Sequence, residues 1–141
     1  MAESIYPCLW FDNQAKAAAE FYCSVFTRSR ILSENSVVVM FELNGSKFMG
    51  LNGGPVHKPN HATSFVIPCD TQKEIDHYWK SLSGDGGREE QCGWVRDKFG
   101  YSWQIIPSIL GELMSEPIKA QRVMSKILKM NKLDIDELKD A

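Results

Sequence analysis

Three histidines, four cysteines and no familiar catalytic signature make up the chemical inventory of this chain. His57 and His61 stand at i,i+4 spacing, which on a helix would aim two imidazoles at one metal ion. Pro59 lies between them and argues against a helix there. They read as solvated loop residues, the alternative being a ligand on a mobile loop. His77 sits beside Tyr78 and Trp79 in a helical pattern and reads as a residue of that helix's edge. Cys8, Cys23, Cys69 and Cys92 are isolated, with no C-x-x-C pair for zinc or thiol exchange. Cys8 and Cys69 lie inside apolar runs and read as small buried hydrophobes, a reactive thiol being the other reading. G-x-S-x-G, P-loop and H-E-x-x-H patterns do not occur. Gly84-Asp85-Gly86-Gly87 is glycine-rich but follows a helix, the wrong context for a phosphate cradle.

Composition narrows the class further. A chain of 141 residues fits one domain that buries about two-thirds of its unfolded surface. Hydrophobic residues at 43% and charged residues at 24% describe an ordinary globular protein with no need of a disulfide framework. A net charge of −2 provides no basic footprint for nucleic acid or a membrane surface. Met1-Ala2-Glu3-Ser4 shows no basic or apolar leader region, and no apolar run approaches the roughly 18 residues of a membrane span. The expected location is cytoplasmic.

The elements that must position any site repeat within the chain. Trp10-Phe11-Asp12-Asn13-Gln14 opens a stretch ending Phe21-Tyr22, and Pro68-Cys69-Asp70-Thr71-Gln72 opens one ending Tyr78-Trp79. Asp12 and Asp70, like Gln14 and Gln72, lie 58 residues apart. Each half closes on a hairpin-like segment, 41–48 and 96–103, with Gly45 and Gly100 55 apart and Glu42 matching Asp97. In the first half, residues 5–11 read as a strand, and Asp12 or Asn13 as the cap of a helix through about Phe26. Strands follow at 30–33, 37–43 and 47–51, with Asn44-Gly45 as a hairpin turn. Residues 52–60 are turn-rich and read as a linker. The second half predicts a strand at 63–68 and a capping box at Thr71–Glu74. A helix follows with Ile75, Tyr78, Trp79 and Leu82 on one face. Strands are then expected at 88–91, 93–97 and 101–106. Beyond Pro107 a short helix at 108–114, a second opened by Pro117 and a last turn after Asp134 form a tail. Ile118, Val123, Met124, Ile127, Leu128 and Met130 give the tail an apolar side. The order is β-α-β-β-β, twice.

Residues 92–107 and the tail segment 122–135 resemble the PhnB-like, demethylubiquinone methyltransferase-like domains. So do Phe21-Tyr22, Asn52-Gly53-Gly54-Pro55 and Cys69-Asp70-Thr71-Gln72. These domains are a branch of the glyoxalase/bleomycin resistance/dioxygenase (vicinal oxygen chelate) superfamily. The resemblance spans nearly the whole chain. It implies an α+β fold: two tandem βαβββ modules, about 1–55 and 61–107, forming a cupped sheet, with a helical tail at 108–141. It also implies a homodimer and a cavity between the modules.

Metal-using members of that superfamily take ligands from the first and last strands of each module. The repeat maps those positions to Tyr6, Ser64, Met49 and Gln104, none of which offers an anionic or imidazole donor. A bound divalent metal is therefore not expected, and no other cofactor is implied. Trp10, Phe41, Phe48, Trp94 and Trp103 are candidate aromatic walls for a small, partly apolar molecule. Tyr6, Asn52, Ser64, Arg96 and Gln104 are candidate orienting groups, with Met49 beside them. The expected function is small-molecule binding without a classical metal centre. The alternative is a vicinal-oxygen-chelate enzyme of lyase, isomerase or dioxygenase type, using shifted metal ligands or none. No glycine-rich nucleotide loop follows a strand here, so methyl transfer is not expected.

Overall fold

A computed structural model describes residues 3–141; Met1 and Ala2, part of the segment read for a leader, lie outside the described residues. The chain divides into two compact units, one ending at Pro59 and the other beginning at Asn60. Each is built as a βαβββ module, and the second also carries the tail.

In the first unit the order is β1 (Cys8–Phe11), α1 (Ala15–Val25), β2 (Arg30–Glu34), β3 (Val38–Leu43) and β4 (Ser46–Asn52). The sheet runs β1-β4-β3-β2, with β1 and β4 parallel. Strand β1 starts later than expected because Pro7 has no N–H to give a ladder; its carbonyl still accepts from Met49 (3.0 Å). Asn44 and Gly45 both have positive φ (49° and 86°), the conformation that a two-residue hairpin turn demands. Ala15, Ala18, Ala19, Tyr22 and Val25 bury one face of α1. Tyr22 stacks on Phe41 of β3, and Phe41 on Phe48 of β4, with centroids 6.2 and 5.5 Å apart. Such aromatic pairs add about 1 kcal/mol each beyond their burial.

The expected cap of α1 is corrected. Asn13 takes a left-handed conformation (φ 59°), and Gln14 becomes the N-cap without a side-chain bond. The first-turn N–H of Ala15 donates instead to Asn52 Oδ1 (2.9 Å), 37 residues on.

The second unit repeats the order with β5 (Ser64–Cys69), α2 (Gln72–Ser83), β6 (Arg88–Glu89), β7 (Trp94–Arg96) and β8 (Ser102–Pro107). Its sheet runs β5-β8-β7-β6. The Thr71–Glu74 capping box forms as expected, and Ile75, Tyr78, Trp79 and Leu82 are the buried face of α2. The tail comprises α3 (Leu110–Leu113), α4 (Pro117–Ile127) and α5 (Ile135–Lys139). Val123, Ile127, Leu133 and Leu138 form its core, against Cys92 and Ile106 of the module. Ile118, Met124 and Leu128, expected on the apolar side, are exposed. Among the described residues no helix is long and apolar enough to cross a membrane.

Candidate functional site on the second sheet

Strand alternation separates two chemistries in the second unit. Ile67, Cys69, Val95, Trp103 and Ile105 are buried on the side of α2. Their neighbours Ser64, Val66, Trp94, Arg96, Ser102 and Gln104 therefore occupy the opposite face. Register places Trp94 opposite Gln104 and Arg96 opposite Ser102, with Val66 beside Gln104. Val66 at the middle of that face is 51% exposed.

The polar groups of this face interlock. Gln104 Nε2–H donates to Ser64 Oγ (2.9 Å). His61, on the turn before β5, has its Nε2 3.0 and 3.1 Å from the two carboxylate oxygens of Glu90. Its Nδ1 lies 3.3 Å from an Arg96 NH2 group. The same guanidinium nitrogen lies 3.4 Å from Nε2, so Arg96 meets the ring near both of its nitrogens. The His61 ring also stands 6.1 Å from that of Trp94. Arg88 reaches Glu90 more loosely, at 4.0 Å. Two arginines and one glutamate leave this cluster a single positive charge.

Two atoms here lack partners. Arg96 Nε and Ser102 Oγ are both buried, and neither has a hydrogen bond among the described residues. Ser102 is 1% exposed. A buried polar atom gains about 1–3 kcal/mol from a partner, so this rung of the sheet favours a bound acceptor.

The other expected site residues are placed differently. Trp103 lies on the α2 side, and its indole N–H donates to the buried carboxylate of Asp97 (2.8 Å). Phe41 and Phe48 belong to the α1 core. Asn52 is occupied by the α1 terminus and donates to the Ser36 carbonyl (3.2 Å). Trp10 is half-buried on the face away from α1; its indole N–H donates to the Gly54 carbonyl (2.9 Å), and His57 meets its ring edge-on at 4.8 Å. Met49 faces the same way, in register with Cys8 and Met40. Tyr6 precedes β1, with the Lys47 ammonium 4.9 Å over its ring.

The four positions that the internal repeat singled out, Tyr6, Met49, Ser64 and Gln104, offer a dication poor donors. Ser64 and Gln104 are neutral and hydrogen-bonded to each other, while Tyr6 carries a cation over its ring. Arg96 beside His61 would repel a dication at the one imidazole–carboxylate pair of this face. Among the described residues no three His, Cys, Asp or Glu side chains converge as a ligand group.

Sequence reasoning passed over Glu90 and Ser102, and read His61 as a solvated loop residue with a loop ligand as the alternative. The parity of Ser102 with Gln104 was a usable signal. The meeting of His61 with Glu90, 29 residues apart, had none.

The profile described as 3-demethylubiquinone-9 3-methyltransferase matches residues 3–106. The chain belongs to this family. Residues 107–141, the end of β8 and the helical tail, lie beyond the match. Among solved structures, the chain is similar to the PhnB protein of Bacillus cereus, provisionally named a 3-demethylubiquinone-9 3-methyltransferase. Identity is 29% and the TM-score 0.66, covering 74% of this chain and 99% of that one. A glyoxalase/bleomycin resistance protein from Albidiferax ferrireducens T118 aligns at 14% identity and TM-score 0.54, over 72% and 95% of the two chains. A glyoxalase-related enzyme from Fulvimarina pelagi aligns at 16% and 0.52, over 74% and 87%. The last two show the glyoxalase-like fold. No curated protein matches the chain.

Proposed function

We propose that this family member binds a small, partly apolar organic molecule on the face of its second sheet turned away from α2. The observation that carries the proposal is the half-exposed Val66 on a face otherwise fitted with interlocked polar side chains, with Trp94 across Gln104 from it. Pockets for organic ligands join apolar surface to a few directed polar groups in this way. The glyoxalase-like fold supports the reading. The strand-to-helix turns, Asp12–Gln14 and Asp70-Thr71, carry no glycine for a nucleotide cofactor, so the reading is binding and not methyl transfer. A cytoplasmic homodimer belongs to the same proposal, and light scattering tests its assembly.

The test is a thermal-shift panel of aromatic and aliphatic molecules on the wild type and on Val66→Asp. A ligand at about 100 times its Kd adds about 2.7 kcal/mol, a shift of several degrees. The shift should vanish in the variant, provided that its own melting remains cooperative. A ligand that shifts both proteins equally binds elsewhere and defeats the proposal.

A further inference from the structure

We infer that the group recognised on this face is a carboxylate monoanion, held by Arg96 Nε–H and the Ser102 hydroxyl. The inference rests on the binding reading above and adds the ligand's chemical class. Arg96 and Ser102 are paired in register on β7 and β8 and present both unpartnered atoms. The side chains around them are committed to other bonds: Glu90 meets His61 and Arg88, and the Gln104 amide donates to Ser64. Asp97, next along β7, accepts from Phe99, Tyr101 and Trp103. A ligand oxygen is the acceptor that fits this pair of donors.

Its charge follows from the same residues. Arg88 and Arg96 against Glu90 leave one positive charge, which one carboxylate neutralises. A phosphate dianion would place surplus negative charge beside Glu90. An N–H and an O–H from residues paired across two strands suit the two oxygens of a carboxylate, and a charged acceptor strengthens both bonds. Val66 and Trp94 supply apolar surface for the rest of the molecule. His61, in contact with the Arg96 guanidinium, is itself 51% exposed on a turn.

The experiment uses the full chain with three probes: benzoate, its neutral counterpart benzamide, and inorganic phosphate. Calorimetry gives affinities, and the NMR signal of the Arg96 Nε–H reports the contact directly. Benzoate should bind, move that signal, and exceed benzamide by about tenfold or more, the worth of one charge-assisted hydrogen bond. Arg96→Lys, which keeps the charge but removes the Nε–H, and Ser102→Ala should each weaken benzoate about tenfold. Equal binding of benzoate and benzamide overturns the carboxylate assignment and leaves the small-molecule reading standing. Tighter binding of phosphate overturns the monoanion. Undiminished benzoate binding by Arg96→Lys overturns the role of Nε. If neither organic probe binds and the Nε–H signal stays put, the carboxylate assignment fails, and the thermal-shift panel decides the binding reading separately. Should the variants not fold, the wild-type NMR signal and the probe ranking still decide.

Discussion

Trp103 and Asp97 join the start of β8 to the turn before it, the indole N–H donating to a carboxylate buried to 2% exposure. The other carboxylate oxygen accepts from the N–H groups of Phe99 (2.8 Å) and Tyr101 (3.1 Å). One side chain thus organises the turn and orients the largest ring of the α2 side. Its counterpart in the internal repeat, Glu42, pairs on the surface with Arg30, so sequence equivalence does not carry over to role.

Asp97→Asn should therefore be costly although it is nearly isosteric. Its amide supplies one acceptor atom where three donors converge, leaving at least one donor unpaired, and a loss of about 1–3 kcal/mol is expected. Asp97→Ala should lose more. Urea denaturation followed by tryptophan fluorescence measures both. Stability of Asp97→Asn equal to wild type would show that the carboxylate is dispensable.

Gly53 is fixed by contact. A Cβ there would lie 2.2 Å from Cζ2 of Trp10 and 2.3 Å from Cε2, and the Gly53 N–H is held by the Phe11 carbonyl (3.0 Å). Gly53→Ala should displace the indole from the Gly54 carbonyl and destabilise the first unit by about 2 kcal/mol or more. In a Trp10→Ala background the same substitution should cost little. A double-mutant cycle reads this directly, and additive losses would contradict the contact.

Local rules account for what was legible. Helix periodicity picked out Ile75, Tyr78, Trp79 and Leu82, and the capping box and the Asn44-Gly45 turn depend on neighbours a few residues apart. The site was legible in part. Placing Met49 with Asn52 and Phe48, or Gln104 with Trp103, in one pocket conflicts with strand parity, which sends odd-spaced neighbours to opposite faces. Trp94 and Arg96, two apart, obey it and do share a face. The Asn52 cap and the Glu90–His61 pairing span 37 and 29 residues, and periodicity carries no information at such separations.

The thiols should sort by burial. Burial, followed by the nearby charges of Glu74 and Asp70, pushes the Cys69 thiol up to about 12. The thiolate is the nucleophile, so at pH 8 about one molecule in ten thousand is reactive there. Iodoacetamide should label exposed Cys8 first and Cys69 only after denaturation, as peptide mass spectrometry would show. The raised value also makes Cys69 a source of alkaline instability. Its contribution is intact below about pH 9, the value of a free thiol, and is lost as pH rises toward 12. Cys69→Ala should remove that part of the decline, and rapid labelling of Cys69 in the folded protein would contradict its burial.

Gln72, the first residue of α2, clamps the tail that extends beyond the family match. Its Nε2–H donates to the Leu133 carbonyl (3.0 Å), and its Oε1 accepts from the Ile135 N–H (2.9 Å). Alongside, Lys132 pairs with Asp76 at 2.7 Å. Hydrogen bonds from Lys132 and then Gln72 hold the Asp76 carboxyl below its usual range. A depressed carboxylate contributes above its ordinary value of about 3.9 and loses that contribution as pH falls through its lower folded value. The pair is about half exposed, so its share is about 0.5 kcal/mol or less. Gln72 should matter more, because Gln72→Ala strands two part-buried backbone groups at about 1–3 kcal/mol in all. Hydrogen exchange at Ile135 and Leu138 should quicken about tenfold or more in Gln72→Ala, with the β5–β8 amides unchanged. Asp76→Asn should leave neutral-pH exchange near wild type and blunt its rise below pH 4. Unaltered tail exchange in Gln72→Ala would mean that the apolar contacts of Val123, Ile127, Leu133 and Leu138 hold the tail without the clamp.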